Sequence, residues 1–306
     1  MNSRLLQLLL LFGLLLASAA CADEVTLRWG GEWDSNVSDN FTEVSGWRMA
    51  PELELQVAHK FSRRLSGEVS TRWSGEWSRA GEERSALLQS PRHTEGVGLK
   101  AKLPAGFTLT AAGQLSEWML EKSTVTKRLW RGQVAAARQW ESWRVDLGYT
   151  RDGENYGEDA QDGATHWFDG KVRYRLPEVV LGRFDLLVKG QREDRGSRRG
   201  IYTYVKDRLG AGARWSHGDF SLEGSLARSW KEYAAHFAAP TTLDLVQKRN
   251  RYLDLDLKAG WSAGVWELSP TFAWSRVLSN EPGSSYRDRV YGLELGCSLA
   301  LGHNNK

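Results

Sequence analysis

From Val290 to Leu301, the apolar residues Tyr291, Leu293, Leu295, Cys297, Leu299 and Leu301 alternate with Gly292, Glu294, Gly296, Ser298 and Ala300. A period of two puts each set on its own face of an extended strand, whereas a helix would scatter both around its surface. Arg251 to Trp261 repeats the pattern more sharply, with Leu253, Leu255, Leu257, Ala259 and Trp261 opposite Asp254, Asp256 and Lys258. It recurs in Leu53/Leu55/Val57/His59/Phe61, Val97/Leu99/Ala101/Leu103 and Phe107/Leu109/Ala111/Leu115. Trp143/Val145/Leu147/Tyr149 and Phe168/Val172/Tyr174/Leu176 continue it.

The alternation predicts fourteen strands, over 25–37, 47–60, 65–79, 92–103, 107–120, 127–139, 143–153, 165–176, 183–194, 201–216, 220–233, 249–262, 265–277 and 288–301. Their connections fall into two kinds. Short turns follow the even strands: Ser62-Arg63-Arg64, Pro104-Ala105-Gly106, Glu141-Ser142, 177–182, His217-Gly218-Asp219 and Ala263-Gly264. Longer polar loops follow the odd ones, at 38–46, 80–91, 154–164, 234–248 and 278–287. Tight turns at one rim and long loops at the other predict an all-β, up-and-down antiparallel transmembrane barrel of about fourteen strands, within a range of twelve to sixteen.

Aromatic placement favours a membrane over a soluble sandwich. Phe61, Phe107, Trp140, Trp143, Phe184, Trp215, Phe220, Trp261 and Trp266 all sit within a few residues of a short turn, as a lipid-facing girdle would. Trp33, Trp73, Trp77, Trp118, Trp130, Trp167, Trp230 and Trp274 lie toward the opposite ends of their strands and are expected to form a second belt.

The first 22 residues read as an export signal: Arg4, an apolar run from Leu5 to Ala20, and a small-residue site at Ala20-Cys21-Ala22. Ser18-Ala19-Ala20-Cys21 also loosely resembles a lipobox, which leaves lipidation of Cys21 open. The barrel domain is then 23–306. Placed in the outer membrane with an even strand number and short turns on one side, it would have both termini in the periplasm.

A strand-built protein survives in lipid only if its sheet closes and pairs every backbone group. The polar faces then point inward. They carry Arg28, Glu32, Glu54, Glu68, Arg72, Lys100 and Lys102 in the first half of the wall, followed by Arg144, Asp146, Lys171, Arg173 and Arg175. Asp185, Lys189, Arg208, Arg214, Glu223, Asp254, Asp256, Lys258 and Glu294 complete the set. Such mixed charge needs water, cross-lumen pairing or a plug, because an isolated buried ion is costly. Fourteen strands leave room for a modest passage. Lys171, Arg173 and Arg175 form a cationic ladder that points to anions, while Asp254 and Asp256 argue against a lumen of single sign.

Composition removes other classes. The 306 residues hold 41 Lys+Arg against 38 Asp+Glu, a net charge of +3, too small to argue for nucleic acid. Two cysteines make neither a disulfide framework nor a zinc site. No nucleophile, phosphate loop or metal spacing stands out, so no enzyme activity, cofactor or metal is expected. His59, His93, His166, His217, His236 and His303 are scattered, and read as isolated rim or surface residues. Asp152, Glu154, Glu158, Asp159 and Asp162 read as a solvated loop, with Ca²⁺ binding or lipopolysaccharide bridging as the alternative. Arg192, Arg195, Arg198 and Arg199, with Lys189 nearby, read as a basic loop after the ninth strand that could meet lipid phosphates or line a pore mouth.

Asp34-Ser35-Asn36-Val37, Ser279-Asn280 and Tyr286-Arg287-Asp288-Arg289-Val290-Tyr291-Gly292 resemble the barrel region of surface lipoprotein assembly modifiers, without the helical tetratricopeptide domain of that family. The resemblance implies a barrel that moves lipoproteins or other proteins to the cell surface, with a periplasmic partner or secreted lipoprotein as its client. The residues themselves favour a porin-like passage for ions or small solutes, and the translocation barrel stands as the alternative. On either reading the expected surroundings are outer-membrane lipid and lipopolysaccharide, with barrel-assembly machinery acting during insertion.

Overall fold

The computed structural model describes residues 24–34, 46–75, 77–80, 84–89, 92–119, 126–155, 162–177, 182–198, 202–238, 246–281 and 284–300. The expected signal segment lies outside them. Sixteen strands follow one another: β1 (Glu24–Asp34), β2 (Gly46–Lys60), β3 (Leu65–Ser74), β4 (Trp77–Ala80), β5 (Arg84–Gln89), β6 (Arg92–Lys102), β7 (Phe107–Met119) and β8 (Thr126–Trp140). The second half is β9 (Trp143–Asn155), β10 (Gly163–Arg175), β11 (Arg183–Ser197), β12 (Tyr204–His217), β13 (Phe220–Ala238), β14 (Val246–Ala263), β15 (Trp266–Ser279) and β16 (Tyr286–Ala300).

Fourteen of them make an antiparallel wall in which each strand pairs with its neighbours in sequence, and β1 pairs with both β2 and β16, so the pairings run in a ring. Of the remaining two, β4 covers the end of the strand expected over 65–79, and β5 corrects the expected loop at 80–91. Ser74 pairs with Arg92 across β3 and β6, and Trp77 with Gln89 across β4 and β5, so the short hairpin prolongs the longer one in the same register. β4 also pairs with β2, from Gly46↔Ala80 to Met49↔Trp77. Arg84 to Gln89 carries adjacent leucines and no alternation. Its extended form comes from the ladder it joins rather than from its own pattern.

The tight turns are where conformation is most demanding. Gly218 and Gly264, with φ of 55° and 60°, each open a two-residue connection. Left-handed backbone at that position matches the twist of the flanking strands, and glycine adopts it without the Cβ clash of other residues. Pro270 lies within β15, and the β14–β15 register passes from Lys258↔Thr271 to Trp261↔Leu268 across it. Proline has no N–H to give to that ladder.

Side chains on a closed wall converge on the concave face and splay apart on the convex one. Residue pairing carries a single parity around the ring, so the two faces can be followed strand by strand. On one face Ser116 and Ser229 are 0% exposed and Asp152 is 1% exposed. On the other, Val69 and Leu147 are 61% and 60% exposed. The apolar residues therefore lie on the convex side. Crowding on the concave side falls on small or hydrogen-bonding residues such as Thr94, whose hydroxyl lies 3.0 Å from that of Ser116.

Candidate functional site

Register alone places the sequence-predicted charges. Arg72 on β3, Lys100 and Lys102 on β6, Arg144 and Asp146 on β9, and Lys171, Arg173 and Arg175 on β10 share the crowded face. So do Asp185 and Lys189 on β11, Arg208 and Arg214 on β12, Glu223 on β13, Asp254, Asp256 and Lys258 on β14, and Glu294 on β16. Glu54 and Glu68 join them, whereas the side chains of Arg28 and Glu32 lie outside the described residues.

Ion pairing sorts this set. Arg72 reaches Glu54 at 3.0 Å and Glu52 at 3.6 Å. Arg144 holds Asp146 at 2.7 Å, and Asp185 receives Arg175 at 3.2 Å and Arg183 at 3.5 Å. Some pairs span an intervening strand: Arg208 on β12 meets Asp254 on β14 at 3.4 Å, and Lys258 on β14 meets Glu294 on β16 at 2.8 Å. Skipping a strand requires long side chains leaning across a curved face. The two aspartates that argued for a lumen of mixed sign share one guanidinium, since Arg208 also lies 3.9 Å from Asp256, whose side chain stays 53% exposed.

Lys171, Arg173 and Lys189 have no carboxylate partner among the described residues. Lys171 stands directly opposite Lys189 on one side and Asp146 on the other, but Asp146 is taken by Arg144. Arg173 stands opposite Arg144. The result is a cluster of cations without ion pairs on adjoining strands β10 and β11, with Asp169 one row away on the same face.

Toward the long-loop rim, the same face carries a collar that sequence reasoning missed or misplaced. Arg131 on β8 clasps Asp152 on β9 through Nε and Nη2, both at 2.8 Å. Glu154 receives Arg195 at 2.8 Å and Lys127 at 3.8 Å. Tyr204 donates to Glu193, and the Lys231 ammonium sits 3.6 Å from the centre of the Tyr204 ring. Asp152 and Glu154 are thus strand residues bound by cations, not members of a solvated loop. Asp162 follows the loop, with Arg198 at 4.0 Å, and Glu158 and Asp159 lie outside the described residues.

The basic loop expected after the ninth strand is corrected in the same way, because β11 runs on to Ser197. Arg195 joins the collar, while Arg192 lies on the convex face 3.7 Å from Asp207. Arg199 lies outside the described residues. Both errors have one cause: beyond the hydrocarbon-spanning part of a strand either face can be polar, so the alternation fades while the ladder continues. Polar or charged residues spaced two apart, such as Arg131 and Gln133 or Glu193 and Arg195, were the available signal.

Phe61 follows β2, and Phe107, Trp140, Trp143, Phe184, Trp215, Phe220, Trp261 and Trp266 take convex-face positions at the short-turn end of their strands. Of the second expected belt, Trp33, Trp73, Trp130, Trp230 and Trp274 are also convex, and the side chain of Trp77 lies outside the described residues. Trp118 and Trp167 are a correction. They occupy the crowded face, where Arg92 stands 4.5 Å from the Trp118 ring and Arg131 5.3 Å from that of Trp167. Cation–π contact with collar arginines gives these indoles a place there.

Among the described residues the histidines do not gather. His166 Nδ1 lies 2.8 Å from the Tyr149 hydroxyl and His93 Nε2 3.1 Å from that of Thr71, both on the convex face. Among the described residues no three His, Cys, Asp or Glu side chains are arranged to hold a metal ion.

No family model matches the chain. No curated protein matches it either. Solved structures do. OmpT lacking loop L8, an outer membrane protein of Vibrio cholerae, is 6% identical with a TM-score of 0.52, over 90% of this chain and 98% of that one. An outer membrane channel from Pseudomonas putida F1 is 14% identical with a TM-score of 0.50, over 91% and 96%. A bacterial polysaccharide outer membrane secretin is 10% identical with a TM-score of 0.50, over 92% and 99%. At these identities the likeness is one of fold: a single barrel of the outer-membrane type, matched over nearly its whole length.

Proposed function

We propose that the barrel spans the outer membrane with its short turns at the periplasmic rim, and conducts small hydrophilic solutes through a water-filled lumen with a preference for anions. The observation that carries this reading is the trio Lys171, Arg173 and Lys189, three cations on the concave face with no carboxylate partner among the described residues. Burying them dry would be expensive, and water in a passage removes the penalty. Paired charges elsewhere, such as Arg208 with Asp254, cancel at short range, and the trio joins Lys100, Lys102 and Arg214, against Asp169 and Glu223, as charges of that face without an ion pair among the described residues, a set of net positive sign in the field a solute meets. One of the similar folds is described as an outer membrane channel, which agrees with the reading.

Single-channel recording tests it. The protein reconstituted in a planar bilayer should show stable open steps, and a salt gradient should give a reversal potential of the anion-preferring sign. A folded barrel that carries no current, or one that prefers cations, overturns the proposal.

A further inference from the structure

The convex face is apolar over most of its height, which makes a group of arginines on β13 to β16 conspicuous. Arg228, Leu253, Arg276 and Arg287 are successive partners across four strands and form one row. Arg251 stands one row nearer the long-loop rim and Arg289 one row farther from it. All five arginines are exposed. With strands about 4.8 Å apart, the row spans roughly 14 Å.

Several other arginines of this face toward the long loops are neutralised locally, although Arg151 has no acidic partner among the described residues and lies 5.3 Å from the Trp130 ring. Arg128 meets Glu117 at 2.9 Å, Arg192 meets Asp207 at 3.7 Å, and Arg249 meets Glu232 at 3.4 Å. Arg251, Arg276 and Arg287 have no acidic partner among the described residues, and Arg228 lies against the Trp230 ring at 5.2 Å. The backbone beneath them is fixed: Asn280 accepts from the Arg249 N–H at 2.7 Å and donates to the Gln247 carbonyl at 2.8 Å, tying β14 to the end of β15.

Height decides what such a patch meets. On β14, Trp261 at the short-turn rim and Arg251 are ten residues apart, about 33 Å along a strand and about 25 Å along a barrel axis tilted by roughly 40°. That is the height of an outer-membrane apolar band, so Arg251 emerges at headgroup level on the long-loop side, while the row at Leu253 lies about 5 Å lower, within the reach of a long side chain extended toward the headgroups, and Arg289, level with Trp274, lies deeper. Leu255, Trp274 and Tyr291 lie farther toward the short-turn rim, where acyl chains would run.

We infer that this arginine row is a binding site for a phosphorylated glycolipid of the outer leaflet, the guanidiniums holding phosphates carried on separate sugars while the wall beside them seats the acyl chains. Guanidinium binds phosphate bidentately, and a row of this width suits two phosphates held apart rather than the single phosphate of a glycerophospholipid. The inference rests on the outer-membrane reading above.

Native mass spectrometry of the whole protein purified in detergent tests it, with diphosphoryl lipid A, monophosphoryl lipid A and phosphatidylglycerol as separate probes at equal concentration. Diphosphoryl lipid A should be retained most and phosphatidylglycerol least. Arg276→Gln with Arg287→Gln should weaken retention of diphosphoryl lipid A at least tenfold, while Arg128→Gln leaves it unchanged. Equal retention of all three lipids, or no loss in the double variant, overturns the site while leaving the membrane reading intact. A protein that fails to insert into vesicles of any of these lipids overturns both.

Discussion

Lys171 and Lys189 are direct partners across β10 and β11, with their side chains on the same crowded face and no carboxylate between them. Like charges directly opposite one another in a sheet are unfavourable by some tenths of a kcal/mol up to about 1 kcal/mol. A fold selected for stability alone would not gain from this arrangement. Replacing both by Gln should therefore leave the barrel at least as stable in urea, while the reversal potential in a salt gradient moves toward zero. An unchanged reversal potential would remove the lysines from the selectivity of the passage.

The clasp between Arg131 and Asp152 predicts the opposite balance. Asp152 is 1% exposed and gives both carboxylate oxygens to Arg131. Asp152→Ala leaves a partly buried guanidinium without its anion, and should lower stability by about 2 kcal/mol, discounted from the larger penalty of a fully buried pair because Arg131 keeps access to water. Urea unfolding of the variant measures it. Without Asp152, Arg131 adds one unpaired cation to the concave face, so the reversal potential should move further toward anion preference.

Leu255 and Asp256 are neighbours in sequence on opposite faces of β14. Leu255 stands between Leu226 and Trp274, and Asp256 between Ser225 and Ala273. Leu255→Arg should destabilise the inserted barrel by roughly 2–4 kcal/mol if the side chain meets the middle of the bilayer, while Asp256→Asn should be nearly neutral. Equal effects in vesicle unfolding would mean that the faces are reversed.

Gly264 opens the β14–β15 turn at φ 60°. Gly264→Ala places a Cβ in left-handed backbone and should cost about 1–2 kcal/mol with no effect on conductance, since the turn lies at the rim. The urea midpoint and the single-channel step, measured on the same preparation, separate the two.

The wall was legible from its alternation. Leu253, Leu255 and Leu257 against Asp254, Asp256 and Lys258 fix both the period and the faces of β14, and every other wall strand repeats some version of that contrast. What escaped was the part of the barrel where the contrast disappears. Asp152, Glu154 and Arg195 belong to strands because they continue ladders, not because of any apolar neighbour. Trp118 and Trp167 read as lipid-facing by type, yet their parity puts them beside Arg92 and Arg131. The lone cations of β10 and β11 were visible as basic residues. Their lack of partners was not, because it depends on Arg144 reaching Asp146 first.

A water-filled passage along the concave face and a convex face sealed in lipid can be tested together at one pair of residues. Val188 and Lys189 are adjacent residues of β11 on opposite faces, and each can be changed to Cys in a Cys297→Ser background. Current is then recorded through the reconstituted barrel while a charged, membrane-impermeant thiol reagent is added. A stepwise change in conductance is expected for Lys189→Cys and none for Val188→Cys. No change at residue 189, or an equal change at residue 188, would contradict that arrangement.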